Sequence, residues 1–208
     1  MTIGAWLFFV ATESVLCLSP GPAVLTVVSQ GVSYGFRSGV WTSVGVLSAN
    51  VLYFGVSATG LFAVAVAWVE LFFLIKWVGA AYLIWLGVQM WRTASMDPVG
   101  NQGPPESQRA ATAGRALLRG FVVQLSNPKT LLYFGALLPQ FIDARREVGM
   151  QIAILGATSI VVEFAILTGY ATLGARAARY AQTSRWVGRI GGSLLIGAGA
   201  GLAALRRS

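Results

Sequence analysis

Two carboxyl groups stand where a strongly apolar sequence should carry none. Glu13 lies in the run from Gly4 to Val28, and Glu163 in the run from Gly149 to Leu173. At a helical rise of about 1.5 Å per residue, Glu13 is roughly 13 Å from Gly4, near the middle of a bilayer if that run spans one. An ionised, unpaired carboxylate at that depth costs on the order of 3 kcal/mol, so the group either carries a proton or faces a polar cavity. Such a carboxyl suits a proton carrier, and the plain alternative is a group hydrogen-bonded within a helix bundle. Glu163 is open in the same way, as a proton carrier or as the partner of an arginine near the boundary of its run.

The backbone is interrupted close to both. Ser19-Pro20-Gly21-Pro22 sits inside the first run, seven residues on from Glu13 and on the same helix face. Each proline removes a donor and clashes with the preceding turn, and Gly21 lowers the cost of leaving the helix. In lipid a freed carbonyl finds no water, so such a break persists only against protein or a polar cavity. A second interruption, Asn127-Pro128-Lys129, opens a later apolar run. Paired breaks in corresponding spans point to a binding site between repeats, made here from Pro20, Gly21, Pro22, Asn127, Pro128 and Lys129. A helix restarting at Pro128 would direct amides toward an anion, and Lys129 would add a full charge. The alternative for Lys129 is a side chain that snorkels to the headgroups. Asn50 is the neutral member of the set. It can hold a carboxylate or an ammonium without an ionisation cost, or it can serve as an interhelical hydrogen bond.

These residues need spans to carry them. The 208 residues are 56% hydrophobic and 11% charged, with mean hydropathy +0.70, which is too apolar for a soluble domain. Six runs reach the length of about 20 residues that a spanning helix needs: Gly4 to Val28, Val40 to Val66, Leu71 to Trp91, Leu117 to Leu138, Gly149 to Leu173 and Val187 to Leu205. Between the third and fourth, Thr93 to Arg115 is rich in Gly, Pro and small polar residues and reads as a flexible linker. The chain thus divides into residues 1–92, a linker at 93–115, and residues 116–208. Lys76-Trp77-Val78-Gly79 and Arg185-Trp186-Val187-Gly188 stand at nearly the same offset as Pro20 and Pro128, which marks an internal repeat. Three spans per half is odd, so the repeats are inverted. The fold expected is an all-α membrane protein of two inverted three-helix repeats with broken first and fourth helices.

Composition also excludes functions. Without histidine and with Cys17 as the sole cysteine, zinc-dependent intramembrane proteases, histidine-ligated haem proteins and thiol relays drop out, and no metal or cofactor is expected. The net charge of +8 lies in short joints between apolar runs, which speaks for lipid contact and topology rather than nucleic acid. The first run carries Glu13 and lacks a basic start, so it is not read as a cleaved leader. Trp68, Trp77, Trp91 and Trp186 fall near span ends as interface anchors. Gly188 with Gly192 and Gly197 with Gly201 permit close helix approach, within the bundle rather than at a dimer seam; a homo-oligomer remains open.

The ordered set of motifs resembles the LysE/RhtB family of amino-acid exporters. Ser-Pro-Gly-Pro at 19 to 22, the spaced glycines Gly31, Gly35 and Gly39, then Gly45 and Gly60-Leu61 are similar to that family's first half. Lys76-Trp77-Val78-Gly79-Ala80-Ala81-Tyr82-Leu83 resembles its third span, and Asn127-Pro128-Lys129 with Leu138-Pro139-Gln140-Phe141 its fourth. The resemblance implies a six-span inner-membrane exporter of amino acids or close derivatives, driven by the proton gradient; Glu13 and Glu163, as the intramembrane acids, are the carboxyls expected to couple it. Asn50 departs from the pattern, because many members carry an aspartate there, and ion coupling is not assigned to it. The rival from another class is a membrane-embedded enzyme that uses Glu13 or Glu163 as acid or base on a lipid or small metabolite. No nucleophile, metal cluster or close carboxylate pair is visible in the sequence to support it.

Arg37, Arg92, Arg109, Arg115, Arg119, Arg176, Arg179, Arg185 and Arg189 follow odd-numbered spans, whereas Arg145, Arg146, Arg206 and Arg207 lie on the other side. Odd joints are therefore expected in the cytoplasm, with both termini outside. A reporter that works only outside the cytoplasm should be active when fused after Ser208 and silent when inserted at Gly103; the reverse pattern would invert the topology.

Overall fold

The computed structural model describes residues 1–59, 69–94, 106–178 and 181–204. Every regular element among them is helical. The first expected run divides where its prolines require. Helix α1, Ile3–Leu18, is capped by Thr2, whose Oγ1 accepts from Ala5 N at 3.2 Å. It stops at Ser19, and α2, Pro22–Tyr34, restarts with Pro22 in the first turn, where a missing donor costs nothing. The two are bent by 55° across the break. Gly35 then turns the chain with φ 83°, a conformation that favours glycine, and α3, Phe36–Ala58, follows at once.

Helix α4 covers Val69–Ala94, and α5 covers Glu106–Leu125. The centre of the expected linker, at 95–105, lies outside the described residues, and its final part belongs to α5. The end of the second expected span, beyond 59, and the residues Trp68, Arg179, Arg206 and Arg207 also lie outside the described residues. The second break falls at Asn127, whose Oδ1 accepts from Lys129 N at 3.1 Å and caps α6, Pro128–Leu132. A π-helical turn, Tyr133–Leu137, and a 3₁₀ turn, Leu138–Phe141, complete this irregular stretch. Pro139 contributes to the irregularity because it cannot donate to a regular ladder. Helices α7, Val148–Ala177, and α8, Ala181–Ala204, end the described chain.

Helices α3 and α7 are each long and apolar enough to cross a membrane, and the bent pair α1–α2 makes a third candidate span. Phe8, Val15, Val51 and Val161 point outward, as side chains solvated by lipid tails would. Inside, Phe9, Tyr53, Phe54, Phe134, Leu138, Ile152 and Leu155 form one cluster between α1, α3, α7 and the irregular stretch. Ala23, Val24, Val27, Val46, Leu167 and Ala171 form another between α2, α3 and α7. Ala80, Leu83, Leu86, Val123 and Leu195 hold α4 and α8 to α5.

Glycine sets how near the helices come. A Cβ on Gly192 would lie 2.6 Å from Gly87 O, and one on Gly199 would lie 2.8 Å from Ala80 O, so α8 lies directly on α4. Among the described residues, nothing lies within 4 Å of where a Cβ on Gly197 or Gly201 would sit. Trp91 is partly exposed, but its indole N–H donates to Arg189 O at 2.9 Å and to Ser193 Oγ at 3.0 Å, so it joins α4 to α8 as well as reaching outward. The tightest crossing is α3 on α5, where a Cβ on Gly45 would meet Leu117 O at 2.0 Å and one on Gly120 would meet Thr42 O at 2.0 Å. Gly45→Ala and Gly120→Ala should each destabilise the detergent-solubilised protein by about 1–3 kcal/mol in thermal unfolding, the usual range for overpacking. Gly149→Ala, with nothing within 4 Å, should leave the transition where it is.

Candidate functional site

The two intramembrane acids meet. Glu13 is 4% exposed on α1 and accepts hydrogen bonds from Ser159 Oγ of α7 and from Cys17 Sγ at 3.6 Å, one turn along its own helix. Glu163, on α7, is 8% exposed and accepts from Asn50 Nδ2 of α3. One carboxylate oxygen of each acid and the Cys17 sulfur all lie within 4.8 Å of one another. Two oxygens and a thiol make three donors, one fewer than the four of a tetrahedral structural metal site.

A chain of side-chain amides leads away from the acids. Asn50 Oδ1 accepts from Gln124 Nε2 at 2.8 Å, and Gln124 Oε1 accepts from Asn127 Nδ2 at 3.1 Å. Asn127 in turn caps the backbone at Lys129. Glu163, Asn50, Gln124 and Asn127 thus connect α7, α3 and α5 to the second break, with each amide using both donor and acceptor. Asn50 bridges α7 and α5 while lining the cavity, and among the described residues it is the hydrogen-bond partner of Glu163.

The first break is satisfied from the opposite direction. Lys129 Nζ donates to Leu16 O and, at 3.2 Å, to Ser19 O. Tyr170 OH of α7 donates to Leu18 O at 2.9 Å. The carbonyls that α1 releases on ending therefore find partners on α6 and α7. On the far side of the break, Gly21 has no side chain to cap α2, so the first amides of that helix end at the same place.

These groups surround one cavity of about 430 Å³. Glu13, Glu163, Gly21, Asn50, Asn127, Pro128 and Lys129 all line it. Pro20 is exposed and Pro22 is buried in α2; the two shape the backbone without facing the cavity. Apolar walls come from Val24, Leu132, Phe134, Leu137 and Leu167. The sequence reading did not single out Gln124, Ser159 or Tyr170. A signal existed for the first two: Ser159 lies one turn before Glu163, and Gln124 lies three residues before Asn127, on the faces those residues mark. Tyr170 carried no such signal, because its partner is a backbone carbonyl of another helix.

Asn50→Leu should strand Glu163 Oε2 and Gln124 Nε2, although Gln124 Oε1 keeps Asn127. Thermal unfolding in detergent should then show a loss of about 1–3 kcal/mol, the cost of a stranded polar group. Asn50→Gln, which keeps both hydrogen-bonding functions, should lose less.

The family described as LysE type translocator matches residues 14–206. The homoserine/homoserine lactone efflux protein of Salmonella typhimurium is 34% identical over the whole of both chains. An uncharacterized membrane protein of Vibrio cholerae is 33% identical over 96% of each. The leucine efflux protein of an Enterobacter species is 28% identical over 96% of this chain and 95% of its own. No solved structure matches the chain.

Proposed function

The chain belongs to the LysE type translocator family, and we propose that it exports amino acids across the inner membrane by proton antiport and alternating access. Amino-acid efflux follows from the family and from the named relatives. It sets aside the membrane-embedded enzyme, whose acid or base would have been one of these carboxyls. The antiport step, the six spans and the inverted repeat are our reading.

The observation that carries the coupling is the meeting of Glu13 and Glu163 at the wall of a cavity beside a broken helix. A broken helix presents two opposite partial charges within a few residues. The carbonyl end of α1 is negative and the amide end of α2 is positive. A zwitterionic amino acid carries the complementary pair, ammonium and carboxylate, at similar spacing. Gly21, Asn50, Asn127 and Pro128 form the proposed substrate site, shaped by Pro20 and Pro22, while Lys129 is held at its edge by the carbonyls that end α1. An ammonium beside Glu13 and Glu163 favours their ionised forms, so substrate binding releases a proton; by linkage, protonation weakens substrate binding. Exchange of one for the other is antiport. The apolar walls suit a neutral side chain of modest size, in keeping with the homoserine and leucine in the relatives' names.

The inverted repeat draws support from the packing. Helix α4 packs on α8 and α3 on α7, each pairing an element with its counterpart in the other half, while α3 against α5 is mirrored by α7 against α1 and α2. A two-fold axis in the membrane plane would relate these contacts.

In everted vesicles under an imposed proton gradient, wild type should accumulate labelled homoserine or leucine. Glu13→Gln fixes one acid in a protonated-like state and should cut that accumulation at least about tenfold, while exchange of labelled for unlabelled substrate persists because it moves no net proton. Gradient-driven accumulation that survives in both Glu13→Gln and Glu163→Gln would remove the acid pair from the mechanism.

A further inference from the structure

We propose that Lys129 is a tethered stand-in for the substrate's ammonium group, seated at the carbonyl end of α1 and displaced from it when an amino acid binds. The proposal rests on the amino-acid export reading and assigns a step of the cycle to one residue.

The side chain of Lys129 starts beyond the second break and crosses the first. Its stem passes Gly21, where an added Cβ would sit 3.9 Å from Lys129 Cδ, and its Nζ donates to Leu16 O and Ser19 O. Among the described residues lining the cavity it is the one basic side chain. An ammonium has three donors and no acceptor, whether it ends a lysine or sits on the α-carbon of an amino acid. The two are therefore chemically equivalent ligands for the carbonyl end of a helix, which carries a partial negative charge. The same end lies one turn beyond Glu13, so a substrate ammonium drawn to the acid pair arrives at acceptors that Lys129 already holds. Two cations cannot share that seat.

The need for a stand-in comes from the empty half of the cycle. A transporter that works by alternating access closes its site twice per turnover, once loaded and once without substrate. Whenever the site is closed to water, the carbonyls freed at the break need a donor from the protein or its cargo. With substrate bound, the cargo supplies one; without it, Lys129 does. Net export includes the empty return and depends on Lys129. Exchange crosses loaded in both directions and does not. A lysine whose only role is to attract a substrate carboxylate gives the opposite sign, since its removal would weaken substrate binding.

The test uses the full chain in proteoliposomes with labelled L-homoserine, measured both as exchange and as net efflux into substrate-free medium. Lys129→Gln should keep exchange within about twofold of wild type with a several-fold lower half-saturation concentration, and should slow net efflux about tenfold or more. Lys129→Arg, which restores a cation of similar reach, should recover net efflux. A higher half-saturation concentration in Lys129→Gln, a parallel loss of exchange and efflux in a folded variant, or unchanged efflux would each overturn the proposal. Wild-type protein that neither exports nor exchanges an amino acid would overturn the export reading and this one with it. If Lys129→Gln does not fold, wild type supplies the answer, because Lys76 and Lys129 are the only lysines. Saturating L-leucinamide, an ammonium without a carboxylate, should raise labelling of Lys129 by an excess amine-reactive reagent, and protection instead would overturn the proposal.

Discussion

The backbone carbonyls released where α1 stops have no partner in lipid and must be bonded from within the protein. Leu16 and Ser19 take Lys129, and Leu18 takes Tyr170. These bonds bring α6 and α7 against the end of α1, and that contact decides where the rest of the site lies. Once α7 is held there, Ser159 and Glu163 face Glu13, since 159 and 163 are one helical turn apart on the same side. A device for satisfying a broken backbone thus also assembles the acid pair.

The polar chain from Glu163 to Asn127 depends on a different constraint, the distance between helix axes. Side-chain amides reach across only where helices lie close, and the missing side chains of Gly45 and Gly120 allow α3 and α5 to touch at their backbones. Asn50 and Gln124 then meet at 2.8 Å without stretching. Such a network stabilises one arrangement strongly when every member is paired and weakly when one is not. The same site borders the π-helical turn at Tyr133–Leu137, a second stretch in which regular hydrogen bonding is already relaxed. A rigid amide network on one side and irregular backbone on the other are what a cavity needs if it is to hold a ligand and still change shape.

Much of this was legible residue by residue. Pro20, Gly21 and Pro22 announced the first break, because proline and glycine act on their own backbone and on the turn just before it. Asn127 followed by Pro128 announced the second, since a capping side chain needs nothing beyond its own helix. Glu13 and Glu163 stood out against apolar surroundings. Lys129 is expected from the sequence beside an anion or at the headgroups, and its Nζ reaches carbonyls of α1. Its own helix holds no trace of that choice. Likewise Gly197 and Gly201 have the spacing of a packing seam, yet among the described residues it is Gly192 and Gly199 that lie against α4; spacing selects a helix face, and only the neighbouring helix selects which face is used.

By itself, then, the sequence determined the all-helical membrane character, the two breaks, the apolar lengths around them and the presence of buried acids, all of which are local consequences of hydropathy and backbone chemistry. Tertiary structure alone decided that Glu13 meets Glu163, that Asn50 bonds to Glu163 and Gln124, and that Lys129 and Tyr170 close the end of α1. The reason is that these contacts join different helices. They depend on how far each helix is rotated and how closely it approaches its neighbour, which is settled by the packing of many side chains together, among them glycines whose role is to be absent. No short stretch of the chain carries that information.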